Sequence, residues 1–292
     1  MSKLRLIALT SMAMTAFAGN SLLCRVALKH TSIDASSFTT IRLISGALTL
    51  WLVVTMRRGT YRGSGNWPSA IALFAYAAGF SFAYVRLPAG TGALILFGAV
   101  QATMISHGIW SGERLSKPQV LGLVLAFAGI IGLLMPGLSA PPIWSAMLML
   151  GAGMSWGIYS LRGRGAGDPT RVTAGNFLRA APIAAILSLV TWNQVALDAA
   201  GIGYAVASGA LASGIGYAIW YTALPSLRAT EAATLQLSVP VIATVGAILF
   251  LGEALTLRLV LASIAILGGI ALVIRNKAKV TDSGKISSTG PR

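Results

Sequence analysis

Charged residues are scarce in this sequence, and acidic residues are the scarcest. Only 10% of the 292 residues are charged, and seven aspartates and glutamates stand against 22 lysines and arginines. Soluble domains usually carry about 25% charged residues, whereas this chain is 55% apolar and has a mean hydropathy of +0.77. The composition therefore excludes an ordinary soluble domain and predicts a protein that lies in a lipid bilayer.

Cysteine and histidine are nearly absent as well. Cys24 is the single cysteine and there are two histidines, so an internal disulfide is excluded and no zinc-like spacing exists. The sequence also lacks a Ser/His/Asp set, an acid pair and a phosphate-binding loop. These absences disfavour an enzyme, predict neither a cofactor nor a metal, and argue against ATP hydrolysis by this chain.

Long apolar segments follow one another, separated by short charged, proline-containing or glycine-containing breaks. A helix of about 20 residues crosses a bilayer of about 30 Å. Ten such segments are predicted, at approximately 5–28, 34–56, 67–87, 89–110, 116–135, 142–161, 169–192, 199–222, 229–250 and 256–274. The first imitates a signal peptide at Ala16-Phe17-Ala18, but it stays apolar to Leu28, which favours an uncleaved helix. Residues 276–292 are polar and rich in serine and glycine, which predicts a disordered cytoplasmic tail.

The basic residues are distributed unevenly between the two ends of the predicted helices. Sixteen lysines and arginines fall in the termini and in the loops after the second, fourth, sixth and eighth segments, and only four fall in the other loops. Because cytoplasmic loops carry the excess of lysine and arginine, both termini are predicted to be cytoplasmic. This topology accounts for the basic excess without a nucleic-acid partner.

The second half of the chain repeats the first with a shift of about 140 residues. Gly112-Glu113 falls on Gly252-Glu253, and with slightly different shifts Arg42 falls on Arg179 and Phe17 on Trp156. Five helices per half is an odd number, so the second half must enter the membrane from the opposite side. The prediction is an all-α integral membrane fold of ten transmembrane helices, built as two inverted repeats around a central cavity. Transporters that work by alternating access are typically built in this way.

Several stretches resemble the EamA-type family of the drug/metabolite transporter superfamily. "WSGERLSKPQVLGLVLAFAGIIGLL" and "LFLGEALTLRLVLASIAILGGIALVI" are similar to the ends of its two repeats, in which a Gly-Glu-x-Leu turn precedes a glycine-rich helix. "FTTIRLISGAL" and "GNFLRAAPIAA" resemble its second helix in each repeat, and "LRATEAATLQLSVPVIATVGAILF" resembles its ninth. The first half departs from the pattern at Val100, which stands where the second half has Pro240. The resemblance implies a first repeat at 1–138 and a second at 139–275.

Among the subfamilies, the chain resembles most the bacterial aromatic amino acid exporters of the inner membrane. This resemblance implies a multi-pass carrier that exports aromatic and other neutral amino acids. Because one chain already holds both repeats, it is expected to function as a monomer, with a small solute and the lipid bilayer as its partners. The alternative is an exporter of another small metabolite or a drug, with or without coupling to protons. A membrane enzyme and a channel are the remaining classes.

Four charged residues allow two interpretations each. Glu113 and Glu253 precede predicted helices, so they are interpreted as helix caps rather than as proton carriers. Arg42 and Arg179 lie inside predicted helices, where a charge is costly. One hypothesis is that one of them attracts the carboxylate of a substrate. The other is that both bind backbone carbonyls or reach an interface, which their symmetric placement favours.

The candidate substrate-binding residues are aromatic and polar side chains that helical spacing places on shared faces of predicted helices. They are Phe17, Asn20, Tyr76, Phe80, Gln101, Trp156, Tyr159, Arg179, Tyr217, Trp220 and Gln236. Such a set suits an amphiphilic solute, because aromatic faces receive both a large side chain and an ammonium group. The alternative is that these aromatic residues are interfacial anchors or packing residues, and it is favoured for Tyr84 and Tyr221, near helix ends.

The predicted positions of the acids bear on energy coupling. All seven fall in loops or at helix ends, whereas a proton-driven transporter usually holds a titratable group inside the membrane. Facilitated diffusion or weakly coupled efflux is therefore expected.

Overall fold

The structure is a computed structural model that describes residues 1–57, 64–112, 115–137, 140–163, 167–227 and 229–286. Within these ranges every regular element is helical and no strand occurs. Glu113, and with it the cap predicted there, lies outside the described residues.

The ten apolar segments predicted from the sequence all coincide with helical segments. The helices are α1 Lys3–His30, α2 Ala35–Met56, α3 Trp67–Tyr84, α4 Ala89–Trp110, α5 Lys117–Leu134, α6 Ile143–Arg162, α7 Pro169–Val190, α8 Ala199–Ala207, α9 Gly216–Ala223, α10 Ala229–Gln236, α11 Ser238–Leu251 and α12 Leu257–Ile286. A π-helical segment, Ser208–Ile215, joins α8 to α9. Short 3-10 turns occupy Trp192–Gln194 and Leu224–Ser226.

Eight helical stretches among the described residues are long and apolar enough to cross a bilayer. They are α1, α2, α4, α5, α7, the stretch Ala199–Ser226, the stretch Glu231–Leu251 and the stretch Leu257–Arg275. Helices α3 and α6 are not among them, although they are 18 and 20 residues long and pack against each other. Serine, tyrosine, glycine and tryptophan dilute their apolar content. The protein is therefore a multi-pass membrane protein, and the count of ten spanning helices stays a prediction.

The outward-facing side chains are apolar along the long helices. On α11, Leu249 and Phe250 are 70% and 79% exposed, and on α12 Ile264 is 66% exposed. Apolar surface of this extent is stable only against lipid or another apolar partner. The exposed faces of these helices therefore meet the hydrocarbon of the bilayer.

Side-chain caps fix where several helices begin. The carboxylates of Asp34, Asp168 and Asp198 accept hydrogen bonds from backbone N–H groups at the starts of α2, α7 and α8, and Asn66 does so at the start of α3. Such a cap stabilises a helix by about 1 kcal/mol, and a carboxylate also interacts favourably with the positive end of the helix dipole. Three of the seven acids are thereby assigned to helix starts.

Helices α5 and α12 approach each other closely through glycine. A methyl group added at Gly122 would lie 3.0 Å from Val273, and one added at Gly129 would lie 2.8 Å from Ile266. A methyl group at Gly132, on the same helix, would meet open space. Close helix packing is thus confirmed for Gly122 and Gly129 and is wrong for Gly132.

The last helix is longer than the sequence suggests. The predicted final segment ends near residue 274, but α12 continues to Ile286, so the backbone of 276–286 is helical where a disordered tail was expected. Extending an existing helix costs little per residue because the nucleus is already formed, and no glycine interrupts this stretch before residue 284.

Candidate substrate-binding cavity

An aromatic cavity of about 100 Å³ lies between helices of the two halves of the chain. Eight of the residues predicted for the site line it, namely Phe17, Asn20, Tyr76, Phe80, Trp156, Tyr217, Trp220 and Gln236. The sequence did not single out the other lining residues as site residues: Ser21, Leu96, Phe97, Ser160, Ala212, Ser213 and Tyr221. Residues from α1, α3, α6 and α9 meet here, so the helical spacing identified the correct faces of these helices.

The rings form one continuous wall around Trp156. The ring of Trp156 stacks on Tyr159 and on Tyr217, with centroid distances of 5.3 Å in both cases, and the ring of Tyr76 lies 4.8 Å away. Phe17 adds an edge contact to Tyr217 at 5.6 Å. Each such pair contributes about 0.5–1.5 kcal/mol beyond the burial of its area. The wall therefore offers a rigid apolar surface to a flat or bulky side chain.

A chain of hydrogen bonds crosses the cavity lining from the π-helical segment to α2. Ser208 Oγ donates to Asn20 Oδ1 over 2.6 Å, and Asn20 Nδ2 donates to the hydroxyl oxygen of Tyr76 over 3.3 Å. Arg42 Nη2 donates to the same oxygen over 3.0 Å. The hydroxyl oxygen of Tyr76 thus accepts two hydrogen bonds from donors on two different helices.

A larger space, which we call the vestibule, adjoins the aromatic cavity. Its volume is about 430 Å³, and it shares Ser160, Trp220, Tyr221 and Gln236 with the cavity. Gln101 and Tyr159, both predicted for the site, line the vestibule instead of the cavity. The vestibule also borders the connection between α6 and α7 and the 3-10 turn after α9. The cavity is therefore reached from the end of the protein where these connections lie.

A buried ion pair lies on the side of the cavity away from the vestibule, at an end of the bundle that we call the closed end because the pair holds several elements together there. Arg25 Nε and Glu253 Oε1 are 3.2 Å apart, and both side chains are 9% exposed. Arg25 Nη1 also donates to the carbonyls of Tyr84 and Val85, over 2.9 and 3.0 Å, and Glu253 Oε2 accepts the N–H of Ala89 over 2.7 Å. Residues from three connected parts of the chain meet at this pair: α1, the junction of α3 with α4, and the junction of α11 with α12.

The separation between the ion pair and the vestibule follows from the length of α4 that lies between them. It begins at Ala89, which contacts Glu253, and its Gln101 lines the vestibule. Twelve residues of α-helix span about 18 Å, so the two features lie at different depths of the bundle. Leu96 and Phe97 line the cavity between these two points, so the ion pair and the vestibule lie on opposite sides of it.

The ion pair corrects two expectations from the sequence. Glu253 was expected to cap the helix that follows it, but the hydroxyl of Thr256 accepts the N–H of Leu259 there, and Glu253 caps α4 instead. Arg25 was counted with the basic residues of the first loop, but it lies inside α1 and is 8% exposed. Its position within the first apolar segment was the available signal.

The two arginines inside the predicted helices have different surroundings. Arg179 Nη1 donates to the carbonyls of Ser64 and Gly175, over 2.7 and 2.8 Å. Neither arginine is among the residues that line the cavity or the vestibule. The two carbonyls that Arg179 binds favour a role in holding the backbone rather than a role in the site. Arg42 is 1% exposed, and its Nε and Nη1 atoms have no hydrogen-bond partner among the described residues.

The two tyrosines near helix ends lie against other parts of the protein. Tyr84 is fully buried, and its hydroxyl donates to the carbonyl of Ala89 over 3.2 Å. Tyr221 lines both the cavity and the vestibule. Of the two alternatives, anchoring or packing, burial favours packing for Tyr84, whereas Tyr221 belongs to the lining of the two internal spaces.

A multi-pass helical membrane protein with an internal cavity that adjoins a wider vestibule has the architecture of a solute transporter. The sequence model of the EamA-like transporter family matches residues 4–135 and again residues 143–275. The chain therefore belongs to the EamA-like transporter family.

Several proteins are similar to this chain in sequence or in fold. An uncharacterised protein of Pseudomonas aeruginosa is 57% identical over 271 residues, which cover 92% of this chain and 94% of that protein. The threonine/homoserine exporter RhtA of Salmonella typhimurium is 34% identical over 172 residues, covering 54% of this chain and 56% of the exporter. A probable amino-acid metabolite efflux pump of the same organism is 25% identical over 210 residues, covering 63% and 67%. A crystal structure with 19% sequence identity has a TM-score of 0.65 and covers 91% of this chain and 97% of its own, which shows a shared fold.

Proposed function

We propose that the protein exports amino acids, aromatic and other neutral ones, across the bacterial inner membrane by alternating access. The observation that carries this proposal is the aromatic cavity with its polar edge, which suits a solute with one apolar and one polar end. The names of two relatives, a threonine/homoserine exporter and a probable amino-acid metabolite efflux pump, support the amino acid class.

The proposed architecture is ten transmembrane helices in two inverted repeats, at 1–138 and 139–275, working as a monomer. The two separate matches of the family model, at 4–135 and 143–275, support the duplication. Helices α3 and α6 would be the two additional spanning helices, since they carry much of the aromatic wall in the interior.

The size of the cavity favours a small metabolite over a drug. Sites for drug-sized molecules usually enclose about 300–1,000 Å³, whereas the aromatic cavity measures about 100 Å³. The adjoining vestibule is wide enough to admit a solute before it reaches the aromatic wall.

The conformation described is the loading state of the proposed exporter. The vestibule borders the α6–α7 connection, which the distribution of lysine and arginine assigns to the cytoplasmic side together with both termini. Release on the other side requires the Arg25–Glu253 pair to separate, because this pair joins elements of both halves across the closed end.

Transport by facilitated diffusion or weak coupling fits the surroundings of the cavity. None of the residues that line the cavity or the vestibule in the described part of the chain is acidic. Glu253 is a buried acid, but Arg25 and Ala89 already bind its carboxylate. In the alternative, a proton-coupled exporter of another metabolite or a drug, Glu253 is the residue that would carry the proton.

Counterflow in liposomes that contain only the purified protein tests the proposal. The liposomes are loaded with an unlabelled amino acid and receive labelled phenylalanine, methionine or threonine outside. Saturable accumulation that depends on internal substrate is expected, and it should persist when the pH gradient is abolished. No accumulation of any amino acid would refute the substrate class, and accumulation that is lost without a pH gradient would refute uncoupled transport.

A further inference from the structure

We propose that Tyr76 and Ser213, with Arg42 behind Tyr76, form an anion-binding subsite at the edge of the aromatic cavity, which binds the carboxylate of the substrate. The inference rests on the proposed function for the identity of the natural ligand, but the subsite itself binds carboxylates whether or not they are transported.

The positive charge of Arg42 is not neutralised by the protein. Of its three guanidinium nitrogens, only Nη2 has a hydrogen-bond partner in the described part of the chain, and that partner is the neutral hydroxyl of Tyr76. The rings of Tyr76 and Phe80 lie 5.2 and 4.9 Å from its Cζ atom and give cation–π contacts, which stabilise a cation without cancelling its charge. A buried cation without an acidic partner is destabilising unless a counter-ion pairs with it.

Four acids in the described part of the chain bind other groups. Glu253 pairs with Arg25 at the closed end, and Asp34, Asp168 and Asp198 accept backbone N–H groups at helix starts. None of them bonds to Arg42. A ligand that enters the cavity is therefore the natural source of the missing negative charge.

The direction of the hydrogen bonds places a donor at the cavity edge. The hydroxyl oxygen of Tyr76 accepts from both Arg42 and Asn20, so its own proton is left to donate. Asn20 Oδ1 accepts from Ser208, which fixes the amide with its nitrogen towards Tyr76. A hydroxyl that accepts from a cation becomes a stronger donor, because the hydrogen bonds polarise one another. Tyr76 lines the cavity, so this donor is available to a ligand there.

Ser213 provides an independent second group. Its Oγ atom is buried, has no hydrogen-bond partner among the described residues, and belongs to a residue that lines the same cavity. A buried hydroxyl without a partner is destabilising. Two donors on residues that line one cavity, with a guanidinium that has no acidic partner among the described residues behind one of them, match the two oxygens of a carboxylate.

The subsite also orients the ligand. The ring of Tyr76 lies 4.8 Å from that of Trp156, and Trp156 stacks on Tyr217. A solute whose carboxylate lies at Tyr76 and Ser213 therefore places its side chain on the aromatic wall. The ligand class is a small carboxylate with an apolar or aromatic side chain, of which neutral amino acids are the transported members.

The test measures ligand binding by the purified full-length protein, without transport. Thermal unfolding in detergent is followed with phenylacetate and with phenylacetamide, which has the same shape but no charge. The wild-type protein should bind phenylacetate more tightly by about tenfold or more, as expected for a hydrogen-bonded charge. Arg42→Gln should abolish this preference, and Tyr76→Phe and Ser213→Ala, which keep the charge, should each reduce it several-fold.

Arg179→Gln is the matched control, because Arg179 occupies the corresponding place in the second half but binds carbonyls. It should lower the unfolding temperature of the ligand-free protein and leave the preference for phenylacetate unchanged. Arg42→Gln should not lower the ligand-free unfolding temperature, because it removes an unneutralised charge. If Arg42→Gln keeps the preference, or destabilises the ligand-free protein and weakens both ligands equally, the subsite is refuted. If Arg42→Gln does not fold, Tyr76→Phe and Ser213→Ala decide the question, and an unchanged preference in both overturns the proposal.

The proposed function can fail separately. A charge preference that depends on Arg42, without counterflow of any amino acid, would refute amino acid export and support the subsite. Counterflow of phenylalanine that is matched by phenylalaninamide would support a carrier and refute the subsite.

Discussion

At the scale of single residues, Arg42 and Arg179 show how little a matching position in the sequence says about surroundings. Arg179 donates to two backbone carbonyls, whereas Arg42 is enclosed by rings and lacks partners for two of its nitrogens among the described residues. The difference arises because Arg42 lies beside the aromatic wall and Arg179 lies beside the stretch that precedes α3. The duplicated arginine thus has two different tasks in the two halves.

Replacing Trp156 tests the aromatic wall. Trp156→Ala removes the ring on which Tyr159 and Tyr217 stack, and an aromatic ligand that loses its own contact with this ring is weakened by about 0.5–1.5 kcal/mol. The half-saturation concentration for phenylalanine in counterflow should therefore rise about tenfold, and that for threonine should rise less. Trp144→Ala is the control, because Trp144 lies on the same helix and is 75% exposed. Equal effects on phenylalanine and threonine would contradict the prediction that the aromatic wall binds the side chain of the substrate.

At the scale of helices, the π-helical segment Ser208–Ile215 is the departure from regular structure that bears on the site. It contributes Ser208 to the hydrogen-bond chain and Ala212 and Ser213 to the cavity lining. A π-helical turn contains an extra residue, so the side chains after it face different directions from those in a regular helix. The segment packs against α2 through Gly209 and Gly214, where added methyl groups would overlap Ser45 and Thr49.

The contact between α5 and α12 gives a prediction about stability. Gly122→Val would force a side chain against Gly269 and Val273, and overpacking of this kind costs about 1–3 kcal/mol. The unfolding temperature in detergent should fall by about 5 °C. Gly132→Val on the same helix meets open space and should change it by about 1 °C or less. A similar loss in both variants would mean that helix propensity, rather than the glycine contact, determines the effect.

The sequence was sufficient for properties that are local to a helix. Segment lengths, hydropathy and three- or four-residue spacing predicted the helices and placed Tyr76 and Phe80, or Tyr217 and Trp220, on one face. It was not sufficient where a partner is distant in sequence. Arg25 and Glu253 are 228 residues apart, and no local pattern shows that they meet. Ser213 was missed for a further reason, since the 3.6-residue period used to assign faces does not hold in a π-helical segment.

At the scale of the whole molecule, the closed end and the vestibule lie on opposite sides of the cavity, as one state of the proposed alternating cycle requires. The ion pair connects α1 with the α11–α12 junction. Arg25 and Glu253 each also form hydrogen bonds with the α3–α4 junction. These connections to one buried pair make the closed end cooperative, because removing one partner leaves the other charge buried without compensation.

Weakening this pair should shift the protein towards the opposite state. Glu253→Gln leaves Arg25 without a counter-charge. The equilibrium constant for the state in which the closed end is separated should therefore rise by about tenfold or more. The reporter is Ser160→Cys in a Cys24→Ala background, labelled in oriented vesicles with a membrane-impermeant maleimide. In the presence of Glu253→Gln, labelling from the ion-pair side should accelerate about tenfold, whereas labelling from the vestibule side should slow down.

The control for this experiment is Asp168→Asn. Asp168 also pairs with an arginine, Arg171, but its side chain is 49% exposed, and an exposed pair contributes little. Asparagine preserves the helix cap, so labelling should be unchanged from both sides. If Glu253→Gln labels like the Asp168→Asn control, the ion pair does not hold the closed end.

The stacking of Trp156 between Tyr159 and Tyr217 also has an optical consequence. Aromatic rings held in a fixed, asymmetric arrangement give circular dichroism bands in the near ultraviolet, and these bands vanish when the packing is lost. Because the stack forms the wall of the cavity, a bound solute contacts these rings directly. It therefore changes the near-ultraviolet bands that they produce. Occupancy of the cavity can therefore be read as a spectrum of the unmodified chain, and Trp156→Ala identifies which band belongs to the site.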